Sequence, residues 1–101
     1  MNQIERINKY ENILNKGIKI TNKFGKILQE YNDIQKEIKT LSNYYGSDNW
    51  YQDIADYDMK LLPKDIKAGI LSEDAIYDLL TNNRTLSIKM LEIATDILKN
   101  D

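Results

Sequence analysis

Five large aliphatic side chains spaced seven apart, Ile13, Ile20, Ile27, Ile34 and Leu41, constrain this 101-residue chain more than any other feature. Three positions before each stand Tyr10, Gly17, Phe24, Tyr31 and Ile38, and Tyr45 closes the series. Apolar positions alternating three and four apart form one stripe on an α-helix, whereas a strand alternates with a period of two. Leu14 and Leu28 widen the stripe, and no proline occurs before Pro63. The spacing predicts a long helix over about residues 3–43, bent near Gly17 or Gly25, where helix propensity drops by about 1 kcal/mol each.

A second long helix is predicted over about 73–99. Ser72 can cap it, and Glu73 and Asp74 place carboxylates at the positive end of its dipole. Ile76, Asn83, Met90 and Ile97 fall seven apart, with Leu79, Leu86 and Ile93 three positions later. Leu80, Ala94 and Leu98 widen that face, so the helix is amphipathic along its length.

The connecting segment, about 44–71, has a different character. Gly46 reads as a helix stop and Ser47 as the next N-cap, opening a short helix over about 48–57. Leu62-Pro63 fits the start of another short helix with Pro63 at its first position, and Gly69 fits that helix's C-terminal cap. The segment is rich in Tyr, Trp, Ile and Leu, too apolar for a floppy linker. No stretch shows a period-2 run, so no sheet is expected.

The expected fold is therefore all-α and a single helical domain over 1–101. Two long antiparallel amphipathic helices form a coiled-coil-like hairpin or small bundle, with short helices in the connection. At 1.5 Å per residue the first helix is about 61 Å long and the second about 41 Å, so about 20 Å of the first seam lacks a partner. Either the connecting segment folds over that part, or a second chain does.

Composition narrows the function. With no cysteine and no histidine, disulfides, thiolate nucleophiles, cysteine-ligated zinc and the commonest general base are all excluded. No apolar run reaches the ~18 residues of a membrane span, and no secretory leader pattern is present, so a cytoplasmic location is expected. The net charge of −2 conceals an asymmetry. Residues 1–41 carry eight Lys/Arg against five Asp/Glu, residues 42–80 carry three against eight, and residues 81–101 balance.

Several groups could carry chemistry or recognition. Asp48, Asp53, Asp56 and Asp58, followed by Glu73, Asp74 and Asp78, could offer oxygen ligands to Mg²⁺ or Ca²⁺, but their spacing does not match the calcium-loop pattern. Helix capping explains Asp48, Glu73 and Asp74 more simply, and no metal or other cofactor is expected. A pair of carboxylates or Lys67 could in principle serve a hydrolase, yet no nucleophile-elbow, phosphate-loop or dinucleotide pattern is present, and a small helical bundle seldom has a cleft. Lys9, Lys16 and Lys23 share one heptad position, with Lys19 and Lys26 nearby. A sequence pI near 5.1 argues for a solvated flank over a phosphate-binding one, so direct nucleic-acid binding is disfavoured. Among the aromatics, Tyr45 and Trp50 are expected in the core and Tyr51 or Tyr57 at the surface. Asn83 falls on the second seam, where a buried amide can fix register or oligomeric state.

The connecting segment also holds a run of specific residues. Tyr44-Tyr45-Gly46-Ser47, Trp50 and Asp53 are followed by Leu62-Pro63, Asp65-Ile66-Lys67, Gly69-Ile70-Leu71-Ser72-Glu73-Asp74 and Tyr77-Asp78-Leu79-Leu80. This series resembles a family of bacterial proteins of about 100 residues catalogued as a domain of unknown function. The resemblance is close over residues 44–80, while the flanking helices are similar only in pattern. One position departs: that family's pattern places a glycine shortly before the Leu-Pro, and Met59-Lys60-Leu61 has none. The resemblance bears on fold and implies no activity.

Taken together, the sequence points to a small non-enzymatic protein-binding module or regulator that acts through a larger protein or complex, with a homodimer as one form. The alternative is a mobile-element-encoded inhibitor that presents an acidic surface to a nuclease or an RNA-guided, CRISPR-type effector. The partner-binding candidates are Asp53, Asp56, Asp58, Tyr51, Tyr57 and Asp74, and the register candidate is Asn83.

Overall fold

A computed structural model describes all of residues 1–101 and contains helices and turns but no strand. The order is α1 (Gln3–Tyr44), α2 (Asp48–Asp58), a single 3-10 turn (Gly69–Leu71) and α3 (Glu73–Lys99). The chain divides into two compact units, residues 1–36 and 37–101.

The first unit consists of the N-terminal 36 residues, almost entirely α1. Asn2 caps the helix: its Oδ1 accepts the Glu5 backbone N–H at 2.8 Å, satisfying one of the free amides at the helix start. From there the helix runs unbroken through Gly17 and Gly25. All of residues 1–30 are exposed, including Ile13, Ile20, Phe24 and Ile27.

The second unit holds the ordered core. Tyr44 ends α1, and Gly46 takes a left-handed φ of 78°, the conformation that glycine adopts without a Cβ clash. Ser47 then caps α2, its Oγ accepting the Trp50 N–H at 3.2 Å. Here the helix–turn–helix expected from the sequence is present, with each boundary within one residue.

α2 ends in a Schellman arrangement. The Lys60 N–H bonds to the Tyr57 carbonyl at 3.0 Å and the Leu61 N–H reaches back to the Asp56 carbonyl at 2.9 Å. This closure needs a left-handed residue at position 60, and Lys60 has a φ of 61°. The glycine missing from the sequence pattern falls in this same turn.

The expected helix starting at Pro63 is not formed. Pro63 opens a turn closed by the Ile66 N–H on the Pro63 carbonyl at 3.2 Å, and the chain then runs irregularly to Ala68. Gly69 begins the 3-10 turn; it does not cap a preceding helix. Proline is equally suited to a turn start as to a helix start, and with so few residues before Gly69 the turn prevails. Both α2 and α3 pack on the 3-10 turn. Ser72 occupies the N-cap of α3 but makes no side-chain cap bond, leaving Glu73 and Asp74 to favour the dipole.

Candidate functional site

The residues of the Tyr-Tyr-Gly-Ser series meet in a small aromatic clamp. Trp50 and Ile76 are the buried hydrophobic residues, 3% and 2% exposed. The indole Nε1 of Trp50 donates to the Ile70 carbonyl at 2.8 Å, which ties α2 to the 3-10 turn. Tyr45 meets Trp50 edge to face, with centroids 4.9 Å apart at 63°, and its hydroxyl donates to the Glu73 carbonyl at 3.3 Å at the start of α3. Tyr51 makes a second edge contact with Trp50 at 5.1 Å.

Beside the clamp, the Tyr44 hydroxyl donates to the Asp53 carboxylate at 2.5 Å. This hydrogen bond, with partial burial and the negative charge of Asp53, pushes the Tyr44 hydroxyl from its ordinary pKa of 10.0 up to about 12. Each specified position of the first part of the series, from Tyr44 to Asp53, thus has a structural task. Tyr44 and Asp53 pair, Tyr45 and Trp50 pack, Gly46 turns the chain and Ser47 caps the next helix.

The sequence candidates do not form one surface. Tyr51 and Tyr57 are exposed, as are Asp58 and Asp74, while Asp53 and Asp56 are half-buried. On an ideal helix Tyr51 and Asp58 share one side of α2, and Asp53 and Asp56 lie roughly 140–160° around from them. Asp53 is held by Tyr44, and Asp56 Oδ1 accepts the Gln52 amide at 2.8 Å one turn away. No three acidic side chains are placed to hold a metal ion. Asp58 lines an open depression with Tyr57, Lys60, Leu62, Pro63 and Lys64. Tyr45, expected in the core, is half-buried because its hydroxyl reaches the surface at α3. Asn83 is also half-buried, and its carbonyl accepts the Ser87 hydroxyl at 2.8 Å.

Sequence reasoning missed the Tyr44–Asp53 bond and the Trp50–Ile70 bond. Periodicity could not signal either one, because both cross turns. The series itself was the signal, since it specifies Tyr44 and Asp53 nine residues apart around a Gly-Ser turn.

The most continuous unexplained surface is the seam of α1. Tyr10, Ile13, Ile20, Phe24, Ile27 and Ile34 are all exposed, Ile20 at 66%. A shallow notch at Gly17, lined by Leu14, Ile18, Thr21 and Asn22, interrupts it.

A long helix, a Gly-Ser turn and an aromatic clamp against a 3-10 turn define a small all-α helical protein. The chain belongs to the family described as a domain of unknown function (DUF4298), whose model matches residues 7–93. No curated protein and no solved structure matches it. No helix is long and apolar enough to cross a membrane.

Proposed function

We propose that the chain is a small non-enzymatic protein-binding module that acts through a larger partner, and that the α1 seam is its docking surface. The observation that supports this is the row of exposed isoleucines and aromatics along residues 10–34. Contiguous apolar surface of this kind on a soluble chain marks an interaction site, and a heptad stripe fits a partner helix. The antiparallel pairing of α1 with α3 belongs to the same proposal as another use of the seam: a hairpin would cover it from within the chain. The test is capture of partners with the intact chain and with the double variant Ile20→Asp/Ile27→Asp. Loss of capture in the variant supports the reading, and equal capture by both chains overturns it.

The second reading is an inhibitor that presents its acidic middle to a nuclease or RNA-guided effector. It rests on the excess of five negative charges over residues 42–80, with Asp58 and Asp74 exposed. The distribution of the α2 carboxylates around the helix, and their bonds to Tyr44 and Gln52, weigh against a single acidic face. Asp58→Lys with Asp74→Lys tests it: inhibition that survives both reversals removes the reading.

A further inference from the structure

The flank of the α1 seam changes sign along its length. The heptad position just before Tyr10, Gly17 and Phe24 holds Lys9, Lys16 and Lys23, and the same position then holds Glu30 and Glu37. All five are exposed. Flanking charges of this kind set the partner and orientation of a coiled coil. We propose that the seam is covered by α1 of a second copy of this chain, running antiparallel, with the two-fold axis crossing at the level of Asn22. This rests on the reading of the seam as a docking surface and names a second copy, in place of a larger partner, as what covers residues 10–34.

Orientation follows from the charges. In a parallel pair this flank would face the opposite edge of the other helix, which holds Leu14, Thr21, Leu28 and Gln35 and no charge. In an antiparallel pair the flank faces itself in reverse. Lys16 then approaches Glu30 of the second copy and Lys9 approaches Glu37, and symmetry makes each contact twice. Only Lys23, beside the axis, meets its own like.

The apolar layers agree with the same register. Tyr10 faces Ile34 of the second copy, Phe24 faces Ile20, and the notch at Gly17 faces Ile27. The apolar layers end at Ile34, with Glu37 on the flank one turn beyond; Ile38 and Leu41 are half-buried, as is Tyr31 within the paired stretch. α3 offers a poorer match, since its equivalent flank holds Ala75, Asn82, Lys89 and Asp96.

The test uses the full chain and two charge variants, all changed at exposed positions. Light scattering across a hundredfold concentration range should show the mass rising from 11.8 kDa towards twice that value. Glu30→Lys/Glu37→Lys makes the flank wholly basic, and Lys9→Glu/Lys16→Glu/Lys23→Glu makes it wholly acidic. Each alone should self-associate at least about tenfold more weakly, and an equal mixture should recover the dimer. Under mild oxidation, Lys23→Cys should cross-link to its own copy and Ile13→Cys should not. Cross-linking through Ile13→Cys alone, or charge variants that dimerise as the parent does, overturns the antiparallel arrangement. A parent chain that stays monomeric throughout overturns the second copy as occupant. The docking reading is then judged separately, by whether Ile20→Asp/Ile27→Asp still captures a partner.

Discussion

The hydroxyl of Tyr44, the last residue of α1, donates to the carboxylate of Asp53 in the middle of α2 at 2.5 Å. One side chain from each helix thereby bridges the Gly46-Ser47 turn. The bond needs the phenol protonated, and the ionised form would put two negative charges side by side.

The Tyr44 hydroxyl is raised from 10.0 to about 12, so its contribution to stability is fully present below pH 10 and is lost as pH rises through about 12. In an alkaline titration followed by phenolate absorbance, one of the seven tyrosines should ionise late. Tyr44→Phe should remove that late step. A Tyr44→Phe chain that keeps it assigns the step to another tyrosine.

Two turns of opposite chemistry share one backbone conformation. Gly46 has a φ of 78° and Lys60 a φ of 61°. A left-handed conformation costs a non-glycine residue about 1–2 kcal/mol, and the extra freedom of glycine in the unfolded chain returns part of that. Lys60→Gly is expected to stabilise the second unit by about 0.5–1 kcal/mol, and Gly46→Ala to destabilise it by about 1 kcal/mol. No neighbouring atom lies within 4 Å of a Cβ built at Gly46, so its cost is one of backbone alone. Urea midpoints of the two variants moving in opposite directions would bear this out, and movement in the same direction would not.

Trp50 joins packing to a hydrogen bond. Trp50→Phe keeps much of the apolar bulk but leaves the Ile70 carbonyl without its indole donor, an expected loss of about 1–3 kcal/mol. Ser47→Ala removes the cap to the Trp50 amide and should cost about 1 kcal/mol. Trp50 is the single tryptophan, so its emission reports unfolding of this unit directly in the Ser47→Ala chain. A Trp50→Phe chain with the parent's stability, read by circular dichroism, would show that the bond contributes nothing net.

Gly17 and Gly25 sit inside α1 with no neighbour within 4 Å of an added Cβ. Gly17→Ala and Gly25→Ala should each raise helix stability by about 1 kcal/mol, visible as increased helicity near the midpoint of thermal unfolding. An unchanged melting curve would mean that this stretch of α1 is already held by something other than its own propensity.

The helices were legible because they write their period into many residues. Ile13 to Leu41 and Ile76 to Ile97 each repeat often enough that no single substitution hides the pattern. The Gly46-Ser47 turn was legible for a different reason, since a left-handed stop and an N-cap each require few residue types. The stretch from Leu62 to Leu71 was not. Pro63 serves a helix start and a turn start equally well, and Gly69 serves a helix end or a 3-10 start. The few residues before Gly69 favour the turn, and the Trp50 indole, donating to the Ile70 carbonyl from across the unit, is a contact that local pattern does not signal. The clamp was legible only as a set of conspicuous letters. Whether Asp53 faced a partner or Tyr44 depended on a contact between helices, and local pattern has no access to that.

The N-terminal unit has a consequence for how long the chain survives. A helix whose first 30 residues are all exposed has no core to hold it shut, so its backbone opens with little cooperation from the rest. A protease would therefore reach this arm before it reached the Trp50 clamp. Once the seam is covered, the same arm is shielded. On the proposed docking, the population of intact molecules would then record occupancy, with covered chains persisting and uncovered ones trimmed.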